Sequence, residues 1–262
     1  MDQRGRRLGF RESPARPGIS MNKVSVCMAT YNGRAFAEAQ LASILRQLRK
    51  DDELIVVDDN SKDDTLRVID AIGDARIKVF INKTNLGVVK AFERAIREAS
   101  GDIIFLSDQD DLWLENKTEK VLGLFMADPE LTLVLSDAQI IDSEGAIVSS
   151  SFFTHRGGFR AGVLRNALRN GYLGCSMAFR RKMLEYFMPI PPDIPMHDMW
   201  IGIVNDIFGK TAFIDEPLIQ YRRHGNNATS PHHAGLRRML CWRASLLKNI
   251  ALLLWRNKSK WT

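Results

Sequence analysis

Short apolar runs alternate with segments of helical periodicity through the first half of the chain, and this alternation restricts the fold more than any other feature. The runs are rich in Val, Ile and Phe and have the length of buried strands. Because strand–helix–strand units form right-handed crossovers, the pattern predicts an α/β chain with a mostly parallel sheet covered by helices on both faces. The expected strands are Val24–Ala29, Glu53–Val57, Ile77–Ile81 and Ile103–Leu106, and the expected helices are Ala35–Leu48, Asp63–Ile72 and Val88–Ala99.

The pattern becomes less regular after Asp111. A helix is expected near Glu115–Met126, and the Pro-rich stretch Pro189–Pro195 marks a loop within the irregular residues 136–197. The other expected elements are strands at Leu131–Leu135, Leu173–Phe179 and Thr211–Asp215 and a helix at Met199–Phe208. We expect these elements to complete the same α/β domain.

Positive charge is concentrated towards the C-terminal end. The net charge is +6, yet no Asp or Glu occurs after Glu216, whereas nine Lys and Arg residues do. A nucleic-acid-binding protein would carry its excess charge on the folded core, so no nucleic acid partner is expected. The basic C-terminal segment instead indicates contact with an anionic surface, such as a membrane.

The segment Ala234–Trp255 predicts an amphipathic helix. Two interpretations stay open. The helix packs on the rest of the protein, or it lies in a membrane interface, where Trp242, Trp255 and Trp261 and the flanking basic residues would suit it. The apolar stripe consists of Leu236, Leu240, Leu247, Ile250 and Leu254.

Residues 1–20 are rich in Arg, Gly and Pro and predict a flexible basic tail, and the ordered pattern begins directly after Met21. The tail has no apolar core segment and so does not resemble a secretory signal. Apolar runs elsewhere are far shorter than the ~20 residues needed to cross a bilayer. The three cysteines are too far apart in sequence for a CxxC metal site. We therefore expect a cytoplasmic protein, in peripheral contact with the inner face of the membrane if the C-terminal helix binds lipid.

Polar residues follow three of the expected strands at the point where each strand ends. Ligands of an open α/β sheet bind beyond the carboxyl ends of the strands, so the three clusters would line one crevice. One cluster alone could simply form a turn, because Asn and Asp favour turns. Three in succession favour a binding site. The clusters are Thr30-Tyr31-Asn32, Asp58-Asp59-Asn60-Ser61 and Asp108-Gln109-Asp110-Asp111.

The third cluster, Asp108–Asp111, predicts a metal site. Three carboxylates within four residues raise one another's pKa unless a cation neutralises them. Oxygen ligands suit Mg²⁺ or Mn²⁺, which are usually shared with phosphate oxygens. The apolar neighbours Leu106 and Leu112 indicate a partly buried position, with a solvated acidic turn as the alternative.

Two phosphate-binding motifs are absent from the sequence. No GxGxxG follows the first expected strand, and no GxxxxGK[ST] occurs. Their absence argues against a dinucleotide oxidoreductase and a P-loop NTPase. A nucleotide would therefore be held by carboxylate contacts and a metal rather than by a glycine-rich loop.

Four short segments occur in a specific order and spacing: Val26–Asn32, Ile55–Thr65, Asn85-Leu86-Gly87 and Phe105–Trp113. In this order they resemble glycosyltransferase family 2, which has the GT-A fold. Three later segments resemble its rhamnosyltransferase-type branch. These are Gly174–Met177, His197–Trp200 and Tyr221–Asn227. The resemblance covers roughly residues 22–230.

The resemblance implies a GT-A-type, Rossmann-like, mostly parallel sheet flanked by helices, with the C-terminal amphipathic helix added. It implies inverting transfer of a sugar from a nucleoside diphosphate donor to a glycan or lipid-linked acceptor in cell-surface polysaccharide synthesis. The donor would be dTDP-rhamnose or a UDP-hexose, and the cofactor Mg²⁺ or Mn²⁺. Residues 21–135 would form the nucleotide-sugar-binding half, residues 136–230 the acceptor-binding half, and residues 231–262 the basic helix.

The resemblance also implies the donor contacts. Thr30, Tyr31 and Asn32 would border the uracil or thymine ring, and Asp59 would accept a hydrogen bond from the imide N–H of that ring. Asp58 could equally serve only to support the local structure. The candidate metal ligands are Asp108, Asp110, Asp111 and His224. Asp108 and Asp110 could instead contact the ribose, and His224 could instead contact the diphosphate or be an ordinary surface or packing residue. Lys90 could reach a phosphate or remain a solvated helix residue.

Asp198 is the candidate catalytic base, which would take the proton from the attacking acceptor hydroxyl. It follows a Pro-rich loop at the start of an expected helix, so an N-cap role is compatible with catalysis. Trp113 and Trp200 could stack on a sugar, with core packing as the alternative. The candidate acceptor or sugar contacts are Trp113, Gly174, Cys175, His197 and Trp200.

Two other function classes stay open. A sugar nucleotidyltransferase also uses an α/β sheet and Mg²⁺, but it normally has a Gly-rich, basic N-terminal loop that Thr30–Arg34 matches poorly. A non-catalytic nucleotide- or sugar-binding module is the second. It predicts that Asp198→Asn is tolerated, whereas an enzyme should lose turnover and keep donor binding.

Overall fold

The computed structural model describes residues 22–168, 170–225 and 236–258. The expected basic tail and Met21 lie outside these residues, as do Trp261 and the last two residues of the Tyr221–Asn227 segment. Among the described residues, no helix combines the length and the apolar character that a bilayer-spanning segment requires.

The described strands form one mixed sheet in the order β3-β2-β1-β4-β8-β6-β9-β5, with β7 paired to β6. The first four strands in this order are parallel, as is the β6–β9 pair, whereas β8, β5 and β7 run antiparallel to their neighbours. The α/β class is therefore confirmed. The strands are β1 (Val24–Thr30), β2 (Glu53–Asp58), β3 (Ile77–Ile81), β4 (Ile103–Asp108), β5 (Leu112–Trp113), β6 (Leu133–Ile141), β7 (Ile147–Ser149), β8 (Met177–Arg180) and β9 (Thr211–Arg222).

The helices cover the sheet and provide the segments that surround its carboxyl edge. Short 3₁₀ turns at Thr154–Arg156, Gly174–Ser176 and Arg181–Met183 connect the irregular part of the chain. The helices are α1 (Ala37–Leu45), α2 (Thr65–Ala71), α3 (Val88–Glu98), α4 (Lys117–Ala127), α5 (Val163–Leu168), α6 (Leu184–Phe187), α7 (His197–Phe208) and α8 (Leu236–Arg256).

The sheet divides the interior into two apolar cores. Successive residues of a strand point to opposite faces, so Val26 and Met28 of β1 pack in one core and Cys27 in the other. The Cys27 core includes residues of α3, α7 and α8, and the opposite core includes residues of α1 and α4. This accounts for the continuous apolar runs, because strands covered on both faces have no solvent-facing positions.

The helix α8 packs on the domain through one face only. Leu246, Ile250 and Leu253 are buried against the Cys27 core. The leucines at positions 240, 247 and 254 of the sequence-derived stripe are exposed instead, and Trp255 is 77% exposed. The helix therefore presents a second apolar surface outwards.

Several boundaries differ from expectation in the second half of the chain. The segment Leu173–Phe179 is not one strand, because the 3₁₀ turn Gly174–Ser176 precedes β8. Asp198 is not the N-cap of α7, since Met196 occupies that position. The short strands β5 and β7 and the helices α5 and α6 were not expected. They are too short to produce a clear periodic pattern.

Candidate active site

A cavity of about 320 Å³ opens at the carboxyl ends of β1, β2 and β4. All three polar clusters contribute to its lining, as the strand order requires. The turn before β8 and the start of α7 line it as well. The polar lining residues include Thr30, Tyr31, Asp59, Asp108, Gln109, Asp110, His197 and Asp198.

Asp59 is held by the segment that follows β3. Its carboxylate accepts hydrogen bonds from the backbone N–H of Leu86 and Gly87, the latter at 2.7 Å, and from the side-chain amide of Asn82 at 2.7 Å. Gly87 has a φ of +87°, in the left-handed region that favours glycine. Asn82 and the segment Asn85-Leu86-Gly87 thus hold the Asp59 carboxylate at the cavity wall.

Asp58 supports the turn after β2. It accepts hydrogen bonds from the hydroxyl groups of Thr30 and Ser61 and from the backbone N–H of Ser61. Asn32 does not line the cavity. Its side-chain oxygen accepts the backbone N–H of Lys62 at 2.8 Å, because Asn32 adopts a φ of +49° in the turn. The expected contact of Asn32 with a base ring stays a prediction.

Gln109 connects the first and third clusters. Its side-chain oxygen accepts the backbone N–H of Tyr31 at 2.9 Å, and its side-chain nitrogen donates to the Tyr31 carbonyl at 3.1 Å. A Cβ on Gly33 would collide with this amide. Glycine at position 33 therefore allows the Gln109 side chain to hold the Tyr31 backbone at the edge of the cavity.

Asp108 and Asp111 form a compact acidic cluster with Cys175, in which one ligand atom of each residue lies within 4.8 Å of the others. Burial, followed by repulsion from Asp110, raises the pKa of Asp111 to about 7. Burial and the charges of Asp111 and Asp110 raise the pKa of Asp108 well above its ordinary value. The cluster therefore favours a positive partner.

A divalent cation fits this cluster. Asp111 Oδ1 accepts the backbone N–H of Arg222, but its buried Oδ2 accepts no hydrogen bond of ordinary geometry from the described residues. Burial and the neighbouring carboxylates raise the pKa of the Cys175 thiol well above its ordinary value, so the thiol is neutral in the metal-free protein. The donors that remain are carboxylate oxygens, which suit Mg²⁺ or Mn²⁺.

Asp110 and His224 contact each other at the same edge of the cavity. The His224 Nε2 lies 2.7 Å from Asp110 Oδ2, and the His224 ring stacks on Phe36 at a centroid distance of 5.0 Å. Arg222 donates from Nε to the Asp110 carbonyl oxygen at 2.9 Å. The end of β9 thus places His224 beside the acidic cluster.

Lys117 lies beneath the cluster and was not singled out from the sequence. Its fully buried ammonium donates to the carbonyl oxygen of Cys175 at 2.8 Å and lies 4.3 Å from the centroid of the Trp113 ring. Burial lowers its pKa to about 8, and the charges of Asp111 and Asp108 partly oppose that shift. The sequence signal that could have indicated Lys117 is its position in the first turn of α4, six residues after Asp111.

Asp198 also lines the cavity, from the first turn of α7. Its Oδ1 accepts the backbone N–H of Met199 at 2.6 Å and the side-chain amide of Asn170 at 3.4 Å. Burial raises its pKa to about 6, so the carboxylate is ionised at neutral pH and basic enough to accept a proton. Asn170 was also missed by sequence reasoning.

His197 is a buried neutral residue that lines the same cavity. It stacks on Phe92 at a centroid distance of 4.1 Å, and neither ring nitrogen has a hydrogen-bond partner among the described residues. Burial lowers its pKa to about 3. Its ring therefore shapes the cavity beside Asp198 and Gly174 without carrying charge.

Four expected contacts do not reach the cavity. Trp113 and Trp200 are buried in the two cores, and the indole of Trp200 donates to the Phe187 carbonyl at 2.9 Å. Cys175 is buried against Asp108 and Asp111 of the acidic cluster. Lys90 forms an ion pair with Glu93 at 2.6 Å, one turn along α3, instead of lining the cavity.

Comparison with solved structures identifies the architecture. The chain superposes with a TM-score of 0.67 on a Staphylococcus aureus TarS structure in complex with UDP-GlcNAc, at 17% identity, covering 88% of this chain and 66% of that one. It superposes with a TM-score of 0.58 on the mannosyltransferase PcManGT from Pyrobaculum calidifontis in complex with GDP-Man and Mn²⁺, at 18% identity, covering 95% and 79%. The chain thus spans about two thirds of the TarS chain. The expected GT-A-type fold is confirmed.

Comparison of sequences identifies the family. The chain is 28% identical over 189 residues to the UDP-Glc:alpha-D-GlcNAc-diphosphoundecaprenol beta-1,3-glucosyltransferase WfgD of Escherichia coli, covering 70% of each chain. The family model described as Glycosyl transferase family 2 matches residues 25–187, more than half of the sequence. The chain belongs to glycosyltransferase family 2.

Proposed function

We propose that this protein is an inverting, metal-dependent glycosyltransferase that moves a sugar from a nucleoside diphosphate donor to a glycan or lipid-linked acceptor. One observation carries the proposal: the carboxylates of Asp108 and Asp110, at the end of β4, and the carboxylate of Asp198, in the first turn of α7, line one cavity. Asp108 and Asp110 suit a metal-bound diphosphate, and Asp198 suits a base for an incoming hydroxyl.

The donor proposed is a UDP-linked hexose. The name of WfgD specifies a UDP-Glc donor, and the TarS structure holds UDP-GlcNAc, whereas neither name points to dTDP-rhamnose. Tyr31, which is 44% exposed, and Asp59 border the part of the cavity where the base would lie. Asp110 is the candidate contact for the ribose or the metal.

The cofactor proposed is Mg²⁺ or Mn²⁺. Asp108 and Asp111 would hold it, with Asp110 and His224 beside them. When bound, a divalent ion stabilises the negative charge that develops on the leaving diphosphate. The buried lysine beneath the cluster supplies part of the compensating charge from the protein itself.

Asp198 would act as the base. The acceptor oxygen forms a bond to the anomeric carbon while the bond from that carbon to the diphosphate oxygen breaks. The departing nucleoside diphosphate keeps the electron pair, and the hydroxyl proton moves to Asp198. Asn170 and the backbone N–H of Met199 hold the carboxylate in place for this transfer.

A lipid-linked acceptor and a role in cell-surface polysaccharide synthesis form part of the proposal. The name of WfgD specifies a diphosphoundecaprenol-linked acceptor. The outward face of α8 carries exposed Leu247, Leu254 and Trp255 near basic residues, which suits peripheral binding to an anionic membrane. Acidic substitutions at 247 and 254 should therefore weaken sedimentation with phosphatidylglycerol vesicles, and unchanged sedimentation would contradict this contact.

The proposal is tested by measuring transfer from UDP-glucose, UDP-galactose and UDP-GlcNAc to a diphosphate-linked GlcNAc lipid by mass spectrometry. Asp198→Asn should lower turnover by roughly 10²–10⁴-fold, the usual contribution of a general base, with UDP affinity unchanged. Asp215→Asn, at an exposed position, is the matched control. Equal turnover in Asp198→Asn and wild type would remove Asp198 from the mechanism. UDP binding without turnover on any donor would favour the binding module.

A further inference from the structure

A shallow, arginine-lined pocket lies beside the candidate base and outside the donor cavity. Its lining includes Arg156, Arg160 and Arg165, and no acidic residue lines it among the described parts of the chain. Its volume of about 30 Å³ admits only part of a phosphate group, so the exposed arginines at its mouth would supply the rest of the contact. Guanidinium groups are the preferred partners of phosphate oxygens.

Local structure brings these arginines together. The guanidinium of Arg156 lies 4.3 Å from the centroid of the Phe152 ring, which holds it over an aromatic face. Gly157 and Gly158 follow with φ angles of +79° and +78°, which turn the chain so that Arg160 lies at the same pocket. An anion at this pocket would interact favourably with the exposed guanidinium groups of Arg160 and Arg165.

Asn170 joins the pocket to the candidate base. It lines the arginine pocket, and its side-chain amide donates to Asp198 Oδ1 at 3.4 Å. A phosphate bound by the arginines would therefore lie next to Asn170, which itself contacts the carboxylate of Asp198, the candidate base. The arginine pocket and Asp198 are thus in contact through one residue, Asn170.

Apolar side chains surround the same segment. The helix α5 carries Arg165 between Leu164 and Leu168, which are 80% and 66% exposed. Arg243 of α8 donates a hydrogen bond to the Leu168 carbonyl oxygen at 3.1 Å. This contact places one turn of α8, which carries the exposed Leu240, beside the end of α5. An anionic site thus adjoins an exposed leucine surface, a combination that suits an amphiphile with a phosphate head.

We propose that the arginine pocket binds the diphosphate of a lipid-linked acceptor, with the lipid chain against the leucines of α5 and α8. Held in this way, the first sugar of the acceptor extends past Asn170 towards Asp198. The assignment rests on the proposed function for its place in catalysis, but diphosphate binding by the arginines is measured independently of donor binding.

The test is calorimetric titration of farnesyl diphosphate and of inorganic pyrophosphate, each with and without saturating UDP and Mn²⁺ to fill the donor cavity. The variant is Arg160→Ala with Arg165→Ala. Arg46→Ala with Arg67→Ala removes the same charge from exposed positions of α2 and the end of α1 and is the matched control.

Wild type and control should bind farnesyl diphosphate with UDP present, and the Arg160/Arg165 variant should lose roughly tenfold or more in affinity, as expected for charge-assisted phosphate contacts. Farnesyl diphosphate should also bind more tightly than pyrophosphate. Unchanged affinity in the variant, or equal affinity for the two probes, would overturn the proposal. Failure of UDP to bind would contradict the proposed function, while the titrations without UDP would still report the arginine dependence.

Discussion

The ammonium of Lys117 donates a hydrogen bond to the Cys175 carbonyl oxygen at 2.8 Å, in the turn whose thiol lies against Asp108 and Asp111. The two residues are 58 positions apart in the chain. Their contact places a fully buried positive charge beneath the acidic cluster. The cluster is therefore partly neutralised from the protein side, and the remaining negative charge faces the donor cavity.

Removing this charge by Lys117→Met should destabilise the metal-free protein. The substitution leaves the buried Cys175 carbonyl oxygen without its donor, which typically costs about 1–3 kcal/mol. Mn²⁺ should then raise the Tm of the variant more than that of wild type, since the ion replaces the lost charge.

The matched control for Lys117→Met is Lys120→Met, on the same helix. Lys120 forms an exposed ion pair with Glu216, and such pairs contribute about 0–1 kcal/mol. Thermal unfolding with and without Mn²⁺ measures both variants. Equal increments in Tm for Lys117→Met and wild type would contradict the compensating role.

The pH dependence of transfer should report Asp198. Burial raises its pKa to about 6, and a base must be ionised to accept a proton, so kcat/KM should rise with pH through about 6 and level off above it. Rates measured from pH 4.5 to 8 at saturating Mn²⁺, with UDP affinity measured in parallel as the control, test this. A rate that stays constant down to pH 5 would exclude Asp198 as the titrating base.

His197 should make the fold sensitive to acid. Its pKa is about 3 in the folded protein and about 6.5 in the unfolded chain, so the unfolded state binds the extra proton between these values. The stability that depends on neutral His197 is thus present above pH 6.5 and is lost as the pH falls towards 3. Between pH 7 and pH 5 the loss is about 2 kcal/mol.

His197→Phe keeps a ring against Phe92 and removes the titration. Its free energy of unfolding should therefore fall less than that of wild type over the same pH interval. Urea unfolding at pH 7 and pH 5 measures the difference for each protein. Identical pH dependence in the two proteins would show that His197 is already protonated or solvated in the fold.

Gly33→Ala should weaken nucleotide binding. The new Cβ displaces the Gln109 side chain, which holds both backbone groups of Tyr31 at the cavity edge. UDP affinity should fall several-fold by calorimetry. Gly123→Ala is the control, because nothing lies within 4 Å of its Cβ, and it should stabilise α4 by about 1 kcal/mol. An unchanged UDP affinity in Gly33→Ala would show that Tyr31 does not need this support.

The first half of the fold follows closely from the sequence, since β1 to β4 all lie within a residue or two of their expected bounds. The strands β1, β2 and β4 are buried on both faces and are continuous apolar runs, whereas the edge strand β3 leaves Val79 and Ile81 exposed. Short elements such as β5 leave no periodic signal. The strand β9 extends to Arg222 although Asp215 and Glu216 interrupt its apolar pattern, since pairing with β6 continues through register shifts.

The polar clusters after the strands could be placed in one crevice from strand ends alone. The positions of Trp113 and Trp200 could not be predicted in this way, because both occur beside polar motifs in the sequence but are buried in the cores. The Lys117–Cys175 and Asn170–Asp198 contacts depend on tertiary packing between segments far apart in the chain. No local pattern reports such contacts.

Metal-dependent binding of a nucleoside diphosphate at the acidic cluster is measured by calorimetric titration of UDP and dTDP, with and without Mn²⁺, into wild type and Asp111→Ala. Asp111 is buried in the acidic cluster at the carboxyl edge of the sheet, and Asp215→Ala serves as an exposed control. The account predicts Mn²⁺-dependent binding of UDP, stronger than that of dTDP, in wild type and control and its loss in Asp111→Ala. Absence of nucleotide binding in wild type, or binding that neither Mn²⁺ nor Asp111→Ala changes, would contradict it.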